Sequence, residues 1–214
     1  MKLSVNLFMT LDGVSQAPGS PEEDTRGEFS FGGWLMPLFD EGCGRAVDGW
    51  FSHTSALLLG RRTYDTFASH WPQVTDPDDR VADQINSGPK HVVTSSPTGD
   101  VWSSTTTVLD GDILARIRDL KALPGDELQV HGSIRLARAL HQAGMVDLYR
   151  FLLAPVVVGA GAGIFGAEGP ALTMTTSAST VTDSGVVALE LTPGEFGTAS
   201  AAVEDGTDTI EHPA

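Results

Sequence analysis

At three places in the sequence an apolar stretch is followed by hydroxyl side chains, and at two of these places also by glycine and arginine. Glycine lets a ligand approach the backbone closely, and arginine presents a planar fork of N–H donors that matches a phosphate group. Each segment alone is also typical of a simple turn. The residues are Gly60, Arg61, Arg62 and Thr63, then Thr94, Ser95 and Ser96, and finally His131, Gly132, Ser133, Ile134, Arg135 and Leu136. Together they predict a site for an anionic ligand.

The apolar runs before these segments predict the strands that must position them. Residues 2–11 alternate between apolar and polar side chains, which is typical of a strand, and periodic apolar residues predict helices between the later runs. Strand candidates are 2–11, 56–59, 91–94, 106–109, 128–131 and part of 146–158, with 171–176 and 186–192 towards the end. Strands that alternate with helices indicate an α/β fold with a mainly parallel sheet covered on both faces, and the last two strands indicate an antiparallel C-terminal hairpin.

Sheets of this kind bind ligands at the carboxyl ends of their strands, which is where the three segments fall. Gly132 and Ser133 lead directly into a helix, and Ser133 is predicted to be its N-cap. A helix N-terminus carries about half a positive charge, so this junction is predicted to seat a pyrophosphate group.

Composition narrows the function classes. The formal net charge of -15 disfavours nucleic-acid binding, because the phosphate backbone would be repelled. No apolar run approaches the roughly 20 residues of a membrane span, and the N-terminus has no signal-peptide pattern, so we expect a cytoplasmic protein without membrane contact. The histidines are scattered and Cys43 is the single cysteine, so we predict no metal site.

The chain is expected to form one domain over residues 1–194, followed by a flexible acidic tail over 195–214. A long loop at 13–33 is rich in turn formers and acids, and functional flap and disorder are both open interpretations. A homodimer through exposed edge strands of the C-terminal hairpin is a further hypothesis.

Five segments in this order resemble the dihydrofolate-reductase-like superfamily: SVNLFMTLDG, LLLGRRTYDTFASHWP, HVVTSS, LQVHGSIRLARAL and MVDLYRFLLAPVVVGAGAGIFG. More closely, they resemble stand-alone bacterial proteins grouped with the reductase domain of the riboflavin-biosynthesis bifunctional deaminase-reductase, from about residue 2 to 191. The resemblance implies a three-layer α/β/α fold, NADPH as cofactor bound by the three junctions, and a position for Gly159 near the nicotinamide. Serine and arginine around the ribose would favour NADPH over NADH.

The resemblance also shows where this chain departs from the riboflavin reductases. His131 stands where that pattern has a glutamate before the glycine, and Val14 stands where it has a lysine. Two acids are candidates for contact with the substrate. Asp12 follows the first strand, with an Asx turn at Gly13 as its alternative role, and Asp48 lies on the helix before the second strand.

Three functions stay open on this evidence. The first is NADPH-dependent reduction of a small pterin-like or pyrimidine-like heterocycle. The second is reduction of 5-amino-6-(5-phosphoribosylamino)uracil in riboflavin biosynthesis, and the third is nucleotide binding without catalysis.

Overall fold

The computed structural model describes residues 1–166, 169–204 and 207–211, and it contains a mixed eight-stranded sheet and a separate two-stranded sheet. The strands of the large sheet are β1 (Lys2–Thr10), β2 (Thr54–Gly60), β3 (Lys90–Val93), β4 (Thr106–Leu109), β5 (Glu127–His131), β6 (Leu148–Ala154), β7 (Leu172–Val181) and β8 (Val187–Glu195). The helices are α1 (Glu41–Phe51), α2 (Arg61–His70), α3 (Arg80–Ser87), α4 (Ile113–Ala122) and α5 (Ile134–Gln142).

The strand order is β4-β3-β2-β5-β1-β6-β8-β7. Every neighbouring pair from β4 to β6 is parallel, whereas β8 runs antiparallel to β6 and β7 runs antiparallel to β8. The predicted α/β fold, with a mainly parallel sheet and an antiparallel C-terminal hairpin, is confirmed. The order places the carboxyl ends of β3, β2, β5, β1 and β6 side by side along one edge of the sheet.

Alternation along β1 and β5 builds a different layer on each face of the sheet. Leu3, Val5 and Leu7 face an apolar layer that includes Ile117 of α4 and Leu140 of α5. On the opposite face, α1 and α3 pack against β2 and β3, with Phe51 and Ile85 in a second cluster. The result is the predicted three-layer α/β/α arrangement.

The segment between β1 and α1 is folded against the body of the protein rather than extended into solvent. Val14, Ala17, Phe29 and Trp34 are all buried, and the Trp34 indole N–H donates to the Gln16 carbonyl oxygen at 2.8 Å. Of the two interpretations left open for this loop, the structure favours an ordered flap that contributes to the core.

The C-terminal end differs from the predicted flexible tail. Strand β8 continues to Glu195, and β9 (Ser200–Glu204) pairs with β10 (Thr207–Glu211) as a hairpin separate from the main sheet. Val203 on β9 and Thr207, Thr209 and Ile210 on β10 are β-branched residues that favour strands, a signal that the acidic composition obscured.

No helix among the described residues is long and apolar enough to cross a membrane. Strand β7 forms the open edge of the large sheet and carries no charged side chain over its ten residues. The homodimer through this edge stays a prediction.

Candidate active site

The first and third predicted junctions meet through one hydroxyl group. The Gly60 N–H donates to Ser133 Oγ at 2.7 Å, and Ser133 Oγ donates to Thr63 Oγ1, also at 2.7 Å. This contact is possible because β2 and β5 are neighbours, so that their carboxyl ends lie together. The two junctions therefore form one continuous surface.

The second junction joins this surface through Arg61. Arg61 Nη1 donates to the Pro97 carbonyl oxygen at 2.6 Å, and its Nε lies 2.9 Å from both carboxylate oxygens of Asp65. Thr94 Oγ1 accepts from the Ser96 N–H at 3.1 Å, which holds a tight turn after β3 and leaves Ser95 and Ser96 exposed. Arg61 thus links the ends of β2 and β3, and the hydroxyl groups of Ser95 and Ser96 lie at the rim of the surface that the junctions form.

The start of α5 differs from the prediction that Ser133 caps it. Gly132 and Ser133 both have left-handed backbones, with φ of 60° and 56°, and the Ser133 side chain makes no capping hydrogen bond because its hydroxyl is engaged with Gly60 and Thr63. The first helical hydrogen bond runs from the Ala137 N–H to the Ser133 carbonyl at 2.9 Å. The N–H groups of residues 134–136 consequently have no acceptor within the helix and can receive an anion.

A cavity of about 530 Å³ opens beside this helix start. Its walls come from three segments: α5, the ordered flap after β1, and the glycine-rich loop after β6. The lining residues are Gln16, Arg26, Gly27, Glu28, Phe29, Phe31, Ile134, Arg135, Arg138, Ala160, Gly161 and Ala162. A cavity between a helix N-terminus and two loops is suited to an elongated anionic ligand.

Three arginines bring positive charge to the cavity of a strongly acidic protein. Arg135 is exposed and makes no hydrogen bond or ion pair with the residues that the structure describes. Arg138 donates from Nη2 to the Gly163 carbonyl, while its buried Nε has no partner among the same residues. Arg26 is paired with Asp24, and Arg62 approaches that same carboxylate at 3.8 Å. Arg135 is therefore the cation most available to a ligand.

The flap and the glycine-rich loop are joined along the cavity wall. The Ser15 N–H donates to the Ala162 carbonyl at 2.9 Å, and the Ala162 N–H donates to Gln16 Oε1 at 3.0 Å. A Cβ atom on Gly163 would overlap the Gly13 carbonyl oxygen, and Gly161 has φ of 127°. Glycine at these positions permits the close packing of the two loops.

Asp12 connects the end of β1 to the same glycine-rich loop. Its carboxylate accepts hydrogen bonds from Thr10 Oγ1 at 2.6 Å, from the Gly159 N–H at 2.7 Å and, more weakly, from the Val158 N–H at 3.3 Å. The Thr10 hydroxyl and these backbone N–H groups lower the pKa of the Asp12 carboxyl below its ordinary value. Asp12 and Gly159 thus bind each other, which favours a positioning role over direct substrate contact.

Replacement of Asp12 by alanine should loosen the glycine-rich loop. We expect faster amide hydrogen exchange at Val158 and Gly159, because both N–H groups lose their acceptor, and weaker binding of any ligand that contacts residues 160–162. Exchange measured by mass spectrometry tests this, with Asp110→Ala as a control, because Asp110 is an exposed aspartate that pairs with Arg116 and does not line the cavity. Unchanged exchange at residues 158–159 would contradict the positioning role.

Ile134 and Arg135 are the predicted residues that line the cavity, and the other predicted residues lie outside its lining. Asp48 is half-exposed on α1 and lies 3.4 Å from Arg80, at the contact between α1 and α3. The His131 side chain is buried on the α1 face of the sheet, stacked on Phe51 with ring centroids 4.4 Å apart, whereas the cavity lies beside α5. Leu136 packs partly into the core, so only its backbone N–H is available at the helix start.

The cavity lining also contains residues that the sequence did not predict, namely Gln16, Arg26, Arg138 and residues 160–162. Arg138 lies three residues after Arg135 and four after Ile134, so helical spacing alone could have placed it on the same face. No local pattern identifies Gln16 or Arg26, because only the folding of the flap brings them to the cavity.

Within the described part of the chain, His53, Asp126 and Glu127 have side-chain ligand atoms within 4.8 Å of one another. Glu127 is a poor candidate for metal binding, because both of its oxygens already accept hydrogen bonds from Arg150, at 2.6 and 2.8 Å. His53 and Asp126 form an exposed pair at 2.8 Å.

Comparison with known proteins gives this site a family context. The uncharacterized protein YyaP of Bacillus subtilis is 25% identical over 166 residues, which cover 77% of this chain and 80% of YyaP. A protein provisionally named for riboflavin biosynthesis, from Shewanella sp. PV-4, has a similar structure with a TM-score of 0.66 and 20% identity, over 91% of this chain and 100% of that chain.

A dihydrofolate reductase from Enterococcus faecalis, solved in complex with NADP(H), has a TM-score of 0.56 and 11% identity, over 91% of this chain and 97% of its own. These likenesses establish a dihydrofolate-reductase-like fold. The model of the RibD C-terminal domain matches residues 1–188, which include all three junctions and the glycine-rich loop. The chain therefore belongs to the RibD C-terminal domain family.

Proposed function

We propose that this protein is an NADPH-dependent reductase that transfers a hydride to a small pterin-like or pyrimidine-like heterocycle. Membership of the RibD C-terminal domain family and the dihydrofolate-reductase-like fold support an oxidoreductase acting on such rings. The observation that carries the cofactor assignment is the uncapped start of α5, which opens on an arginine-lined cavity in a chain of net charge -15.

The residues of this chain fit a dinucleotide with a negatively charged diphosphate. The N–H groups of residues 134–136 would bind the diphosphate, and Arg135 and Arg138 would balance its charge. Gly132, with φ of 60°, allows the backbone to approach closely. Ser95, Ser96 and Arg61, which meet where β2 and β3 end, would bind a ribose 2′-phosphate, so we expect NADPH to bind more tightly than NADH.

When bound, the cofactor supplies the hydride. The chain's own contribution is to orient the reactants and to exclude water. The flap provides Phe29 and Phe31 on one side of the cavity, and the glycine-rich loop closes the other side. Asp12 keeps that loop in place through Gly159 and Val158.

Two other functions compete with this proposal. Reduction of 5-amino-6-(5-phosphoribosylamino)uracil draws support from the family relationship, and it would need cations for the substrate phosphate in addition to those that bind the cofactor. Nucleotide binding without catalysis is compatible with the same cavity, because Asp48 lies at the contact with α3 and provides no acid there.

Calorimetric titration with NADPH and NADH, followed by assays of NADPH oxidation, distinguishes these functions. We expect saturable NADPH binding at sub-millimolar concentrations and oxidation in the presence of at least one pterin or aminopyrimidine. Oxidation with the phosphoribosylaminouracil alone would favour the riboflavin reaction. Binding without oxidation across the panel would favour the non-catalytic homologue, and no binding of NADPH would contradict the proposal.

A further inference from the structure

A row of buried polar side chains crosses the sheet beneath α1, away from the arginine-lined cavity. All of its members lie on the same face of neighbouring strands, since β1 pairs with β5 on one side and β6 on the other. The row consists of Ser4 and Asn6 on β1, Glu127, Gln129 and His131 on β5, and Arg150 on β6. Buried polar groups are normally fully hydrogen-bonded, so any unpaired atom here requires an explanation.

The ion pair between Arg150 and Glu127 determines which group donates and which accepts in each hydrogen bond of this row. Arg150 donates to Glu127, whose Oε2 also accepts from Ser4 Oγ at 2.9 Å and from Gln129 Nε2 at 2.8 Å. Gln129 Nε2 donates as well to the Trp50 carbonyl at 2.7 Å. With its amide nitrogen donating to both groups, Gln129 must direct its Oε1 towards His131.

Gln129 determines the tautomer of His131. Gln129 Oε1 lies 2.8 Å from His131 Nε2 and can only accept, so Nε2 carries the proton. Burial, together with the positive charge of Arg150, lowers the pKa of His131 to about 3, which keeps the ring neutral. Nδ1 therefore carries a lone pair, and it has no hydrogen-bond partner among the described residues.

Asn6 presents a second acceptor beside His131. The Ser4 hydroxyl donates to Glu127, so Ser4 Oγ accepts from Asn6 Nδ2 at 3.1 Å, and this fixes the orientation of the Asn6 amide. Asn6 is only 2% exposed, and its Oδ1 is buried without a partner among the described residues. Asn6 and His131 are register partners on adjacent parallel strands.

Asn6 lies next to a group of aromatic rings, and the His131 ring stacks on Phe51. Phe8 follows Asn6 on the same face of β1, and its ring centroid lies 6.5 Å from that of Trp50 and 6.4 Å from that of Phe39. His131 is the last residue of β5, at the edge of the sheet where this fold class binds ligands. Aromatic surface beside two acceptors suits a flat ring with N–H groups on one edge.

We infer that Asn6 Oδ1 and His131 Nδ1 form an acceptor pair that selects a heterocycle with two adjacent N–H donors, such as an amino group beside a ring N–H. A carbonyl in place of the amino group would face an acceptor and leave a buried group unpaired. This inference deepens the proposed function and rests on it. Asn6 and His131 are assigned as residues that determine specificity.

Pterin and lumazine test the pair, since they differ by an amino group and a carbonyl at one ring position. With saturating NADP⁺, we expect the wild type to bind pterin at least about tenfold more tightly than lumazine, as expected for one mispaired buried polar group. Asn6→Leu should reduce this ratio to near one. Thr54→Val is the matched control, because Thr54 Oγ1 is another buried oxygen without a partner among the described residues, but Thr54 is the first residue of β2, whereas His131 is the last residue of β5.

Equal wild-type affinities for pterin and lumazine would overturn the inference. An unchanged affinity ratio in Asn6→Leu would overturn it as well, and this is the result expected if a buried water satisfies both acceptors. Nitrogen NMR of the wild type gives a second measurement that does not depend on a variant folding. A proton on Nε2 of His131 supports the inference, and a proton on Nδ1 overturns it. NADPH titration of the wild type separates the two proposals, because normal NADPH binding with no pterin preference leaves the proposed function standing.

Discussion

Arg135→Glu should weaken NADPH binding by roughly 10- to 150-fold, which corresponds to the loss of about 1.5–3 kcal/mol for a hydrogen bond to a charged group. Arg135 is exposed at the cavity and has no partner among the described residues, so the substitution breaks no hydrogen bond or ion pair with them. It removes a cation from the predicted diphosphate site and adds a repelling carboxylate. Calorimetric titration with NADPH at fixed ionic strength measures the effect.

Arg118→Glu is the matched control for this experiment. Arg118 is likewise exposed on a helix, α4, and the substitution changes the net charge by the same amount, but the residue does not line the cavity. We expect its NADPH affinity to stay within about twofold of the wild type, because exposed charges more than about 10 Å apart are largely screened. Equal losses in the two variants would mean that overall charge, rather than the α5 site, governs binding.

Arg150→Met should destabilise the protein by about 3–5 kcal/mol, which is the usual cost of breaking a buried ion pair by removing one partner. The Arg150 and Glu127 side chains are each only 4% exposed, and Arg150 also binds Glu190 at 2.7 Å. Without the guanidinium, the Glu127 carboxylate is left buried with an uncompensated charge. Urea denaturation followed by circular dichroism gives the free energy of unfolding.

Two variants test the reason for this loss. Arg116→Met removes an exposed arginine whose ion pair with Asp110 spans 3.3 Å, and it should cost no more than about 1 kcal/mol. Adding Glu127→Gln to Arg150→Met should recover part of the stability, because the buried charge is removed. If Arg150→Met were no more destabilising than Arg116→Met, the buried pair would not have the role that its geometry assigns.

The sequence predicts the sheet well because each strand carries its own local pattern. Strand β1 alternates from Lys2 to Leu7, and β4 has the bounds that its β-branched run of Thr, Thr and Val before Leu109 predicts. Placing the three junctions together needs only the general rule that parallel strands end at one edge. The strand order then makes β3, β2 and β5 neighbours.

The parts of the site that escaped prediction depend on contacts distant in sequence. Arg26 and Gln16 reach the cavity only because the flap folds back onto residues 160–163, and Ser133 fails as a cap because Thr63 and Gly60 engage its hydroxyl. The face on which His131 lies could have been predicted, since Glu127, Gln129 and His131 alternate with Leu128 and Val130. That period of two puts the histidine on the face opposite the apolar layer of α5.

A crystal structure of the protein with NADPH tests the central claim most directly. We expect the diphosphate to bind at the N–H groups of residues 134–136, between Arg135 and the glycine-rich loop. Crystals soaked at saturating NADPH that hold the dinucleotide elsewhere, or hold none in this cavity, would contradict the assignment of a reductase site.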